Sequence, residues 1–192
     1  MIALHGYKLK SLAIKYSVNL NFEASVAGGI PIIRTLENSL LSDKILKIYG
    51  VLNGTCNYIL TQMDKNKLSF NQALKSAQKL GYAEADPYDD ISGNDTAYKL
   101  LILSNLTFGV VSKFKDIYLE GIKEIECIDL EMANKLGYSI LLLGISKFKN
   151  NTIEQRVHPC LVSKDSIISE VKNELNAVVL DGSLADKIIL IG

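Results

Sequence analysis

Apolar residues recur along this chain in two periods, and each change of period marks an element boundary. Leu9, Leu12, Ala13 and Tyr16 lie three and four apart, which predicts a helix from about Gly6 to Ser17 with one apolar face. Leu20 to Ala24 reads as a short strand. Gly28 and Gly29 interrupt the chain, and Pro31 suits the first turn of a helix that buries Ile32 or Ile33, Leu36 and Leu40. Ile45 to Leu52 predicts the next strand, after which Gly54 and Thr55 open a helix carrying Ile59, Leu60 and Met63. Ser69 and Gln72 have the spacing of a capping box for a further helix that ends at Gly81. A polar loop, Tyr82 to Gly93, then leads into a helix from Asn94 to about Leu106 that is apolar nearly all round at Leu100 to Leu103.

The last third changes character. A helix from Asp129 to Leu136, stopped by Gly137, precedes two long strands, Ser139 to Phe148 and Thr152 to Val162, joined at Lys149-Asn150-Asn151. Leu175 to Leu180 and Lys187 to Ile191 predict two more strands about the turn Asp181-Gly182-Ser183. The pattern gives an α+β fold, close to α/β, with a mixed β-sheet covered by helices. No repeat, linker or low-complexity tract divides residues 1–192, so they are expected to form one cooperative unit.

Composition narrows the function classes. The chain has 192 residues, 48% hydrophobic and 22% charged, with 21 basic and 21 acidic residues and a net charge of zero, so no overall field draws it to nucleic acid or membrane. Its apolar runs are far shorter than the roughly 20 residues that span a bilayer, and its start lacks a basic-then-apolar leader; a cytoplasmic location is expected. Three scattered cysteines, Cys56, Cys127 and Cys160, support neither a disulfide framework nor a zinc site. With two histidines and no G-x-S-x-G elbow, a serine hydrolase has little to build on, and neither G-x-G-x-x-G nor G-x-x-x-x-G-K is present to cradle phosphate.

The informative chemistry lies between Gly81 and Lys99, where Glu84, Asp86, Asp89, Asp90 and Asp95 crowd a loop and a helix start. A solvated acidic loop with helix caps would look the same. Asp95 and Lys99, however, are four apart on the mouth of an apolar helix, so they share a face and a partly buried setting. A surface ion pair is the ordinary reading of such spacing, but a partly buried acid and amine side by side also suit proton transfer, since burial and a neighbouring charge both shift their pKa values.

The segment from Ala77 through Gly81, Asp86, Pro87, Asp90, Gly93 and Asp95 to Lys99 resembles the signature of homoserine dehydrogenases. Two other blocks agree, F-E-A-S-V-A-G-G-I-P-I-I from Phe22 to Ile33 and G-V-L-N-G-T-C-N-Y-I-L from Gly50 to Leu60. The resemblance implies interconversion of homoserine and aspartate semialdehyde with NAD or NADP, on the threonine and methionine branch of aspartate metabolism. Carried over by position, it makes Lys99 the proton-transfer lysine, Asp95 the carboxylate that orients the reacting hydroxyl, and Glu84 the group that binds the substrate ammonium. Asp90 is expected as a second carboxylate near that ammonium, and Asp86 and Asp89 as structural. Gly54, Thr55 and Tyr82 are expected to supply donors for the substrate carboxylate.

The glycine block alone reads as a tight turn. The resemblance implies a sodium ion there, held by the Glu23 carboxylate and inward carbonyls of Val26, Gly28 and Ile30. It also implies a homodimer, and a dinucleotide-binding Rossmann domain that family members place before the segment like Ala3 to Gly6 and that residues 1–192 do not include. On that reading the chain is a substrate and dimerisation domain, inactive alone and served by a cofactor domain, which could be a separate polypeptide. A non-catalytic dimerisation or regulatory homologue and a stand-alone binder of small amino acids are the alternatives; the intact acids and Lys99 favour the catalytic reading.

Overall fold

The computed structural model describes residues 1–192. Seven helices, α1 (Ile2–Lys15), α2 (Ile32–Arg34), α3 (Gly54–Asn66), α4 (Phe70–Lys79), α5 (Tyr88–Ile91), α6 (Asn94–Phe108) and α7 (Cys127–Lys135), accompany six strands. The strands are β1 (Ile45–Val51), β2 (Tyr118–Leu119), β3 (Tyr138–Lys149), β4 (Thr152–Ser163), β5 (Ala177–Gly182) and β6 (Lys187–Ile191), forming one sheet in the order β2-β4-β3-β1-β5-β6. Every pairing is antiparallel except β2 with β4. The fold is therefore a mixed sheet carrying helices, and no helix is long and apolar enough to cross a membrane.

The alternation along each strand sorts side chains onto two faces. Ile48 and Leu52 beside β1, with Val178 and Leu180 of β5, join the main core of 28 residues beneath α3 and α6. Val51, Leu141, Leu143, Ala177 and Val179 point the other way into a second cluster of eight, roofed by Ile168 and Val171. α6 buries Ala97, Leu100, Leu101 and Leu103 completely, which follows from an apolar surface too wide for a half-exposed helix.

Three local expectations change. Leu20 to Ala24 is not a strand: Glu23–Ser25 forms a 3-10 turn, and no neighbouring strand offers that segment a ladder. The first helix starts at Ile2 rather than Gly6, and its C-terminal apolar residues Leu12 and Tyr16 remain exposed. The polar stretch Tyr82 to Gly93 contains a helical turn, α5, entered through an Asx turn in which the Asp86 carboxylate accepts the Tyr88 N–H at 3.1 Å.

Candidate functional site

β1 ends beside the main core, and the chain turns into α3 at Asn53. Asn53 takes the extended conformation of an N-cap, and its Oδ1 accepts the Cys56 N–H at 2.8 Å. The N–H groups of Gly54 and Thr55 donate to no protein acceptor, leaving two backbone donors at the positive end of a 13-residue helix. Gly54 is required by close approach: a Cβ there would lie 2.6 Å from the Glu174 carbonyl oxygen.

The acidic loop is fastened back onto this helix start. α4 keeps its Ser69–Gln72 capping box and ends at Gly81, whose φ of +82° suits glycine. Tyr82 and Ala83 return their N–H groups to the Ala77 carbonyl, and Thr55 Oγ1 donates to the Tyr82 carbonyl at 2.6 Å. Gln78 Nε2 donates to the Glu84 carbonyl at 3.1 Å, and the Tyr58 and Tyr82 rings pack with centroids 5.0 Å apart. α6 then follows Gly93, whose φ of +87° suits glycine and where an added Cβ would press on Leu119 Cδ1 at 3.0 Å.

Lys99 Nζ stands 2.7 Å from Asp95 Oδ2 and donates to the Leu52 carbonyl at 2.9 Å. The two side chains are 24% and 32% exposed, which removes them from the class of free surface pairs. Glu84, Asp90, Asp95, Lys99, Gly54, Thr55 and Tyr82 all line one cavity of about 580 Å³. Asp86 and Asp89 also reach it, but each carries a structural bond, Asp86 to Tyr88 and Asp89 to Asn94 Nδ2 at 3.0 Å. Beneath the floor, Cys56 is buried, and its Sγ donates to the Asp90 carbonyl at 3.1 Å. Burial first, then the charges of Asp90 and Asp95, hold its thiol well above the ordinary range, so it is a hydrogen-bond donor and not a nucleophile.

Two lining residues had no sequence signal as site residues. Asn53 lies inside the L-N-G-T block and is a residue type common at helix starts, yet nothing local shows which carboxylates its amide meets. Glu174 arrives from the loop before β5, held against α3 by Asn57 Nδ2 on the Val171 and Leu175 carbonyls, both at 3.1 Å.

The glycine block lies apart from this cavity. The Glu23 carboxylate accepts the N–H groups of Ile33 at 2.7 Å and Arg34 at 3.0 Å, capping α2. Val26 and Ile30 are buried and Gly28 has φ +56°, while the Ile30 carbonyl accepts the Ile32 N–H at 2.8 Å. No group of three or more His, Cys, Asp or Glu side chains stands close enough to hold a metal ion.

The cavity thus joins six carboxylates, one ammonium and a free helix start. A small cationic group would find complementary charge there. The family model for homoserine dehydrogenase matches residues 31–192. The chain is 47% identical over 192 residues to a homoserine dehydrogenase of Helicobacter pylori, covering all of this chain and 45% of that protein. It superposes on the crystal structure of a homoserine dehydrogenase from Thiobacillus denitrificans with a TM-score of 0.95 at 42% identity, over all of this chain and 44% of that one. A hyperthermophilic archaeal homoserine dehydrogenase in complex with NADPH gives 0.83 at 29% identity, over all of this chain and 55% of that one. This chain belongs to the homoserine dehydrogenase family and spans under half the length of the Helicobacter relative.

Proposed function

We propose that the chain is the substrate-binding and proton-transfer part of a homoserine dehydrogenase, interconverting L-homoserine and L-aspartate 4-semialdehyde on the route to threonine and methionine. The observation that carries this reading is the Lys99–Asp95 pair at 2.7 Å in one cavity with Glu84 and the unpaired Gly54 and Thr55 N–H groups. Homoserine bears an ammonium, a carboxylate and an alcohol, and the cavity offers a counterpart to each. Glu84 and Asp90 face the ammonium. The Gly54 and Thr55 N–H groups, with Tyr82 beside them, receive the carboxylate. Asp95 orients the hydroxyl; in reduction the Lys99 ammonium gives its proton to the forming alkoxide, and in oxidation the neutral amine takes that proton from the alcohol.

A bound nicotinamide dinucleotide, NAD or NADP, supplies the hydride acceptor or donor. Its pyrophosphate does not fit among six carboxylates, so this chain's residues serve the substrate half of the reaction, and the remainder present in relatives holds the phosphates. The NADPH complex of the archaeal relative supports that cofactor class. We also assign a sodium ion to the turn of Glu23, Val26, Gly28 and Ile30, where the Glu23 oxygens that accept the Ile33 and Arg34 N–H groups would also have to serve the ion.

The test is calorimetric. Residues 1–192 are expected to bind L-homoserine, to bind L-2-aminobutyrate, which lacks the hydroxyl, at least about 10-fold more weakly, and to reduce neither dinucleotide. Equal affinity for the two amino acids, or none for either, would overturn the reading.

A further inference from the structure

We propose that Asn53 is a positioning residue for the proton-transfer pair, its side-chain amide bridging the carboxylates of Asp90 and Asp95 so that Asp95 is aimed at Lys99. The inference rests on the reading of Lys99 and Asp95 given above and adds the group that organises them. Asn53 is 4% exposed and every polar atom of its side chain is used. Nδ2 donates to Asp90 Oδ1 at 2.6 Å and to Asp95 Oδ2 at 2.8 Å, one hydrogen to each, while Oδ1 accepts the Cys56 N–H. This network also fixes the amide's orientation, because the flipped form would set an oxygen against two carboxylates and a nitrogen against an N–H.

The consequence is electrostatic. Asp90 comes from α5 and Asp95 from α6, and two carboxylates sharing one nitrogen repel each other unless donors stand between them. Lys99 relieves Asp95 alone, since its Nζ reaches Asp95 Oδ2 and the Leu52 carbonyl. Asn53 relieves both. The Lys99 and Asn53 bonds both fall on Asp95 Oδ2, and Asp95 lines the cavity, so Oδ1 is the oxygen assigned to the substrate hydroxyl. The residues at the end of β1 therefore address both members of the pair: the Leu52 carbonyl holds the ammonium and the Asn53 amide holds the carboxylate.

Helix capping alone would explain Asn53 in another way, and the two roles separate by substitution. Asn53→Asp keeps the oxygen that caps α3 but replaces the bridging N–H groups with a further negative charge; Asn53→Ser keeps a cap and cannot bridge; Asn53→Ala loses both. The groups facing this position are Asp90 from α5, Asp95 and Lys99 from α6, Cys56 from α3, and Glu84 and Glu174 across the cavity. Carbon-13 NMR of the 192-residue chain at neutral pH, reading the Asp95 side-chain carboxyl, is expected to show its resonance displaced in Asn53→Ser and further in Asn53→Asp, because the N–H donated to Oδ2 is gone. Asn53→Ser should melt within a few degrees of the parent, whereas Asn53→Asp, which sets a third carboxylate against Asp90 and Asp95, should melt lower.

In the enzyme assembled with its dinucleotide-binding part, kcat should fall at least about 10-fold in Asn53→Asp. An Asp95 carboxyl resonance unchanged in both variants, with losses tracking only melting temperature, would reduce Asn53 to a cap and overturn the proposal. A parent enzyme that fails to oxidise homoserine would instead overturn the functional reading, and the NMR result would still decide the role of Asn53.

Discussion

Lys99 occupies a position that an ordinary ion pair could also fill, so its role is separable only by a substitution that preserves the charge. Lys99→Arg retains a cation for Asp95 and the Leu52 carbonyl, but a guanidinium does not give up its proton in the working pH range. If Lys99 moves a proton, that variant should fold normally yet lose about 10²-fold or more in kcat when assayed with the dinucleotide-binding part in place; loss of only a few-fold would leave Lys99 as a structural ion. At this scale the sequence was readable where chemistry is local. Asp95 and Lys99 share a helix face, and Glu84 and Asp90 lie in the loop just before them. Asn53 and Glu174 were not readable in this way, because their partners are set by how β1 and the loop before β5 stack on α3, which no nearby residue encodes.

Single side chains also decide how elements close. Asp43 precedes β1, and its carboxylate gathers the N–H groups of Ser183, Leu184 and Ala185 and the Ser183 hydroxyl at 2.8 to 3.0 Å, tying down the turn between β5 and β6. These bonds, the Ala185 N–H foremost, hold the carboxyl below its ordinary value of 3.8. The folded state therefore binds this proton less readily than the unfolded one. The turn's stability is present in full above that value and is lost as pH falls through it and below. Hydrogen exchange of the Leu184 and Ala185 amides is expected to quicken relative to the core between neutral pH and pH about 3 in the parent, whereas Asp43→Asn should show the faster exchange already at neutral pH. Exchange unaltered by the substitution would show that the turn holds itself. Elements signalled by their own chemistry, such as the Ser69–Gln72 capping box and the β3–β4 hairpin at Asn150 and Asn151, agree with the sequence pattern. Leu20 to Ala24 alternates like a strand but has no pairing partner, and Tyr118–Leu119 becomes a strand only because β4 lies alongside, so local pattern misleads in one case and is silent in the other.

For the whole molecule, the unresolved demand is the sheet face turned away from the helices. An antiparallel sheet that stands alone carries polar residues on its open side. Here that face carries Tyr49, Ile145, Cys160 and Ile189, only partly buried against the second cluster, with Ile191 48% exposed beside them. A row of charge borders this apolar band, for Lys47 pairs across the strands with Lys147 and with Asp181, which in turn faces Lys187. Desolvation lowers the pKa of Lys47, partly offset by Asp181, so even the border is half withdrawn from water. A second copy related by a two-fold axis would cover the band with itself and leave the charged rows at the rim, the arrangement that suits a self-complementary interface. We therefore expect a homodimer. Ile189→Asp places a charge in the middle of the band without entering the main core, and should convert the dimer to a monomer while helical circular dichroism and the melting of the isolated fold are retained. Light scattering across the micromolar range reads the outcome: a parent mass near 21.1 kDa at every concentration would show that the band is covered by something other than this chain.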